Sequence, residues 1–220
     1  MIKVLLVDDH ALVRAGLRLL LETEPGLTTA GEAADGLEAV RQSHVLRPDV
    51  VLMDLHLPGM DGVAATERIV AELPGTKVLA LSTFDLEEHV VAALRAGASG
   101  FLPKDSSPEE LVDGIRIVHR GEATVAPRLL LGLIGTFVRP SRPRAVTVPA
   151  ALSGLSEREL QVLELIARGL SNQEIAEQIG LAVSTVKNRV SDLFAKLEVR
   201  DRAQAVIVAY EAGLVTPGGP

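Results

Sequence analysis

The chain has 220 residues and no cysteine, which excludes disulfide staples and thiolate metal sites and is compatible with a reducing compartment. Its aromatic side chains, four Phe and one Tyr with no Trp, are too few for a base-stacking platform, and its longest nearly apolar run, 129–138, is half of the roughly 20 residues that a bilayer-spanning helix needs. The formal charge of -7 is unevenly placed: residues 1–122 carry 11 Lys+Arg against 20 Asp+Glu, net -9, while 123–220 carry 11 against 9, net +2, so an acidic front part is joined to a mildly basic rear part suited to a polyanion.

Met1-Ile2-Lys3-Val4 enters a strand pattern at once, so no secretory leader is expected. Apolar runs at about 3–7, 28–32, 50–54, 77–82 and 99–102 alternate with helical patterns near 11–23, 36–46, 62–72, 86–96 and 108–120. Pro25-Gly26, Arg47-Pro48, Pro74-Gly75 and Gly97-Ala98-Ser99-Gly100 mark helix stops, and Pro108 followed by Glu109-Glu110 marks a helix start. Five strand–helix units of this length predict a doubly wound parallel sheet. No G-x-G-x-x-G follows the first run, which argues against a dinucleotide fold.

Four of the five strand ends carry polar groups: Asp8-Asp9 after the first run, Asp54 after Val50-Val51-Leu52-Met53, Ser82-Thr83 after the fourth and Lys104 after the fifth. Each alone reads as a cap, a turn or a solvated charge. Together they place three carboxylates, a hydroxyl and an ammonium on one rim of the sheet, where ligands of open α/β folds collect. Three crowded carboxylates call for a cation, and hard oxygen ligands suit Mg²⁺.

The words Val7-Asp8-Asp9-His10, Met53-Asp54-Leu55, Leu57-Pro58-Gly59-Met60-Asp61-Gly62, Leu81-Ser82-Thr83 and Phe101-Leu102-Pro103-Lys104 resemble those of a response-regulator receiver domain over essentially all of residues 1–120. The resemblance implies an α/β flavodoxin-like (βα)5 fold with strand order 2-1-3-4-5. It implies that Asp54 accepts a phosphoryl group and that Asp9, Asp54 and the backbone carbonyl of His56 hold Mg²⁺, with Asp8 reaching the ion through water. Lys104 and Ser82 are then expected to contact phosphoryl oxygens, with Ser82 and Phe101 forming the switch. His56 and Phe84 fall where such proteins tune the lifetime of the phosphoryl group.

Residues 1–121 are accordingly expected to be the receiver domain and 122–152 a linker. Pro127 with Arg128-Leu129-Leu130-Leu131-Gly132-Leu133-Ile134 predicts a short, nearly all-apolar helix, and the Pro/Arg-rich stretch from Arg139 to Pro149 reads as an extended tether.

Residues 153–215 read as four helices with no strand, the first two opened by the capping boxes Ser156-Glu157-Arg158-Glu159 and Ser171-Asn172-Gln173-Glu174. A turn at Gly180 between the second helix and a third, from about Ser184 to Leu197, fits a helix-turn-helix, although any small bundle can show this layout. Leu155-Ser156-Glu157-Arg158-Glu159, Gly169-Leu170-Ser171-Asn172-Gln173-Glu174-Ile175-Ala176 and Ser184-Thr185-Val186-Lys187-Asn188-Arg189-Val190 resemble the LuxR-type DNA-binding domain. Joined to a receiver, this all-α four-helix domain is similar to the NarL/FixJ class. The resemblance implies that Lys187, Asn188 and Ser191 face bases or phosphates in the major groove, a role Lys and Asn chemistry allows. Arg189, Thr185, Ser171 and Asn172 are expected to position the phosphate backbone. Two departures stand out: Ala182 occupies the usual Ser/Thr cap of the recognition helix, a cost of about 1 kcal/mol, and Asp192 lies on that helix. The last helix, Arg202 to Leu214, is one that makes dimer contacts in this class.

The expectation is a cytoplasmic transcription regulator rather than an enzyme. A sensor histidine kinase phosphorylates it on Asp54 and it binds DNA as a homodimer. An aspartate-nucleophile phosphohydrolase is the alternative from another class, but the second acid such enzymes carry two residues past the nucleophile is here His56. A protein-binding role for the rear bundle is the third reading.

Overall fold

Alternation of side chains through the apolar runs builds a sheet with two buried faces. The structure is a computed structural model that describes residues 1–82, 87–122, 124–125 and 152–215. Strands β1 (Ile2–Val7), β2 (Leu27–Ala33), β3 (Val50–Asp54), β4 (Lys77–Ser82) and β5 (Gly100–Pro103) alternate with helices α1 (Ala11–Thr23), α2 (Gly36–Leu46), α3 (Gly62–Glu72), α4 (Glu87–Arg95) and α5 (Pro108–His119). All pairings are parallel, in the order β2-β1-β3-β4-β5-β6, with β6 being Thr124–Val125. The sixth strand, Thr124–Val125, pairs with β5 and was not expected: two β-branched residues are too short a run to stand out from the linker that contains them. The expected helix from Pro127 and the tether up to residue 151 lie outside the described residues, as do Thr83 and Phe84.

Val4 and Leu6 of β1 and Val50 and Leu52 of β3 pack on one face with Leu111, Val112 and Ile115 of α5. Leu5, Val7, Val51 and Met53 point the other way, onto Ala39 and Val40 of α2 and Ala65 and Ile69 of α3. Burying each Val or Leu contributes about 1.5–3 kcal/mol, so a one-residue slip of β1 or β3 is strongly disfavoured. Asp35, Asp61 and Ser107 cap α2, α3 and α5 through their side chains.

The chain divides into two compact units, Met1–Ala126 and Pro127–Pro220. The described part of the second is helical: α6 (Glu157–Ala167), α7 (Asn172–Ile179), α8 (Val183–Lys196) and α9 (Arg202–Glu211). Both expected capping boxes form, at Ser156/Glu159 and Ser171/Glu174. Helix α7 ends on Gly180 at φ 68°, a left-handed turn that costs a side-chain-free residue little and redirects the chain into α8. Leu163, Ile166, Ile175, Val186, Val190, Leu193, Ala205 and Ala209 form the core of this unit. Among the described residues no helix is long and apolar enough to cross a membrane.

Candidate functional site

Strand order reverses at β1, which has β2 on one side and β3 on the other. In open parallel sheets the crevice past the carboxyl ends at such a reversal binds ligands. Asp8 directly follows β1 and Asp54 ends β3, so the chain brings two carboxylates to that point, and they are only 1% and 2% exposed. Between them lies Lys104, whose Nζ donates to Asp8 Oδ2 at 2.5 Å and to Asp54 Oδ2 at 2.8 Å. Burial pushes the Lys104 ammonium down, but its hydrogen bonds to Asp54 and Asp8 outweigh this and hold its pKa above the ordinary lysine value. The remaining oxygens are met by backbone: Asp8 Oδ1 accepts from His10 N at 2.9 Å and Asp54 Oδ1 from His56 N at 3.1 Å.

Ser82 sits on the next strand end, buried, and its carbonyl accepts from Lys104 N at 2.8 Å, which fixes the start of the Lys104 loop beside β4. Asp9 is more open, with His10 Nδ1 2.5 Å from its Oδ1. Asp8, Asp9 and His10 offer ligand atoms within 4.8 Å of one another. Phe101 is fully buried on β5, level with Ala80. The donor set is mainly carboxylate, and three acids against one ammonium fit a hard divalent cation of the Mg²⁺ kind.

Two further residues, Gly62 and Arg14, shape the notch. Gly62 opens α3 against the end of β3: a Cβ there would meet Asp54 O at 2.0 Å and Leu55 Cα at 2.7 Å. Arg14, from α1, donates to the Asp8 carbonyl at 2.6 Å. The signal for Gly62 is its place in the Leu57–Gly62 turn word; for Arg14 there was none beyond its place one turn into a helix.

In the rear unit, Val186, Val190 and Leu193 turn α8 into the core. Ser184, Lys187, Asn188 and Ser191, at i, i+3, i+4 and i+7, therefore share an exposed face. Thr185 and Arg189 are half-buried on its flank. Asp192 lines a groove of about 310 Å³ with Arg189, Ser156, Arg158, Glu159 and Val162, so it lies beside the α6 start and off the Lys187 face. Ser171 caps α7, its hydroxyl accepting from Glu174 N at 3.3 Å. The amide oxygen of Asn172 accepts from Arg202 at 3.4 Å, and a second nitrogen of Arg202 donates to the Leu170 carbonyl.

A family model described as the response regulator receiver domain matches residues 4–116, and one described as bacterial regulatory proteins of the luxR family matches 153–209. The chain is 42% identical over 214 residues to the response regulator protein VraR of Staphylococcus aureus, covering 97% of this chain and 99% of VraR. The solved structure of the response regulator ChrA, of a heme-sensing two-component system, is 35% identical with a TM-score of 0.52, over 97% of this chain and 98% of ChrA. A LuxR-family two-component response regulator from Aurantimonas sp. SI85-9A1 is 36% identical with a TM-score of 0.58, over 62% of this chain and 97% of that one. The chain thus belongs to the two-component response regulators, with a flavodoxin-like receiver domain and a LuxR-type helix-turn-helix DNA-binding domain, and is a regulator of transcription.

Proposed function

We propose that Asp54 accepts a phosphoryl group from a sensor histidine kinase and that this switches sequence-specific DNA binding by a homodimer in the cytoplasm. The observation that carries the reading is Lys104 Nζ bridging Asp54 Oδ2 and Asp8 Oδ2, a buried acid–cation arrangement at the reversal point of the sheet. An Asp54 carboxylate oxygen attacks the phosphorus of a kinase phosphohistidine. The new O–P bond forms as the P–N bond breaks, and the departing imidazole takes up a proton. Lys104 then pairs with a phosphoryl oxygen, and Ser82 donates a hydrogen bond to another. Receiver domains bind Mg²⁺ at their acidic site; Asp9, Asp54 and the His56 carbonyl would hold it, with Asp8 behind water, and the ion supplies charge neutralisation of the transferring group. Movement of Ser82 toward the phosphoryl group and reorientation of Phe101 would carry the change to the receiver surface.

On the DNA side, Lys187, Asn188 and Ser191 are assigned to the major groove because they share the exposed face of α8. Arg189, Thr185 and Ser171 flank the duplex backbone. Asn172 holds Arg202 and reaches phosphate only through its amide nitrogen. We assign 1–121 to the receiver, 122–152 to the linker and 153–215 to the DNA-binding domain, with Thr124–Val125 joining the start of the linker to the sheet edge.

Incubation with acetyl phosphate and Mg²⁺ is expected to add about 80 Da, one phosphoryl group, to the intact chain and nothing to Asp54→Asn. An undiminished adduct in Asp54→Asn removes the assignment. Multiple turnover on phosphate monoesters favours the phosphohydrolase instead.

A further inference from the structure

Lys104 holds the Asp8 and Asp54 carboxylates from the front of the notch, and Arg14 holds the Asp8 backbone from behind. The Asp8 carbonyl lies past the last residue of β1, in the peptide plane shared with Asp9. Arg14, one turn into α1, donates to that carbonyl at 2.6 Å. Its Nε donates to Glu32 Oε2 on β2 at 3.1 Å, and the other Glu32 oxygen accepts from Arg18 at 3.2 Å. The Arg14 side chain is only 16% exposed, so this fork is sheltered where hydrogen bonds to a charged group hold their geometry.

We propose that Arg14 is a positioning residue of the phosphoryl site: clamped by Glu32, its guanidinium fixes the Asp8–Asp9 peptide and thereby aims the Asp9 carboxylate at the cation. The inference rests on the reading of Asp54 as a Mg²⁺-assisted phosphoacceptor. Two features assign Arg14 this task rather than charge neutralisation. Glu32 faces both Arg14 and Arg18, and Arg18 also lies 4.0 Å from Glu22, so these two guanidiniums are answered by two acids of their own and the negative charge of the notch is left for the ion. Asp9, at 36% side-chain exposure, has only the neighbouring His10 against its carboxylate among the described contacts, so its direction depends on the backbone that carries it. Groups that orient metal ligands without touching the metal commonly set metal affinity by an order of magnitude or more.

The test measures Mg²⁺ affinity of the full chain by calorimetry, beside acetyl phosphate labelling across a Mg²⁺ series. Arg14→Met is expected to weaken Mg²⁺ binding about tenfold, with the labelling rate recovering at saturating Mg²⁺. Arg14→Lys, which reaches the Asp8 carbonyl or Glu32 but cannot fork between them, is expected to fall between. A merely structural role would lower the melting temperature and leave Mg²⁺ affinity alone, and that result overturns the inference. If Arg14→Met does not fold, Glu32→Gln decides: it keeps Arg14 and loosens its clamp, and unchanged Mg²⁺ affinity overturns the inference equally. Wild-type protein that neither binds Mg²⁺ nor takes a phosphoryl group overturns the site reading itself. Wild-type binding with an unaltered Arg14→Met overturns the Arg14 assignment alone.

Discussion

Lys104 Nζ lies 2.8 Å from Asp54 Oδ2, so the proposed phosphoacceptor is already paired with the ammonium expected to bind an oxygen of its phosphoryl group. The same ammonium bonds Asp8 at 2.5 Å. An ammonium between two buried carboxylates does part of what a divalent ion does: it prevents like charges from facing each other in a low dielectric. Lys104→Met removes it, and breaking a buried pair costs about 3–5 kcal/mol. The expected outcome is an unfolding free energy, read from urea titration, lowered by that order in chelator, with much of the loss recovered in millimolar Mg²⁺. A loss that Mg²⁺ leaves unchanged would show that the acids do not share a cation site.

Gly62 is required by backbone, not by side chains. A methyl group would come within 2.0 Å of Asp54 O, and no rotamer relieves a clash with a carbonyl. Gly62→Ala is therefore expected to cost about 3 kcal/mol, at the upper end of overpacking, and to slow labelling of Asp54 because β3 and α3 separate at the acceptor. Gly75→Ala is the control, since a Cβ there meets nothing within 4 Å. Equal stabilities for the two variants would remove the argument.

What was readable from residue order was whatever repeats or punctuates. Val50–Met53 announces a buried strand by its apolarity, and Asp54 announces the strand end by its charge, so the notch formed by Asp8, Asp54 and Lys104 could be anticipated from where runs stop. The capping boxes at Ser156 and Ser171 are local and appear as expected. Arg14 was not legible because its fork joins three elements, and helical periodicity does not say whether a half-buried arginine turns toward a strand end or toward solvent. The Glu159–Lys196 pair joins residues 37 apart, and Asn172 turns toward Arg202 across 30 residues. Pairings of that kind depend on packing that residue order does not display. Asp192 would repel phosphate only if it faced the DNA, and helical position alone does not show that it lies beside Arg189 and Arg158 in the α6 groove.

The exposed face of α8 carries one ammonium, Lys187, between Ser184 and Ser191. Lys187→Ala is expected to weaken specific DNA binding by about 1–3 kcal/mol if the ammonium reads a base. If it contacts phosphate, binding weakens uniformly across sequences and the slope of log K against log salt falls by about 1. Comparing cognate and unrelated duplexes over a salt series separates the two. Unchanged affinity and slope would move the interface off this face.

Glu159 links the start of α6 to the end of α8. The Lys196 ammonium at 2.7 Å, followed by the Ser156 backbone and hydroxyl, holds its carboxyl down to about 2 from the usual 4.5. A depressed folded pKa contributes stability that is present above about 4.5 and lost as pH falls through about 2. Tyr210, the only tyrosine in a chain without tryptophan, packs in the same unit with its hydroxyl on the Ala167 carbonyl, so its fluorescence follows this unit within the full chain. Between those pH values wild type is expected to lose stability more steeply than Glu159→Gln. Parallel curves would mean that the pair is too solvated to matter.

The recognition helix starts without a side-chain cap. Ser156, Ser171 and Asp201 each accept a backbone N–H at the head of α6, α7 and α9, whereas Ala182 has nothing to offer α8. Its backbone is already in the extended conformation of a cap, φ -70° and ψ 144°, and the residue is exposed, so a hydroxyl enters without strain or clash. Ala182→Ser is expected to stabilise the unit by about 1 kcal/mol, read as a higher urea midpoint in Tyr210 fluorescence. Because Ala182 precedes α8, the Lys187 face is untouched and the salt slope of DNA binding should not move. A Ser variant no more stable than wild type would mean that the orphan N–H groups at this helix start are fully met by water, and that the missing cap carries no penalty in the free protein.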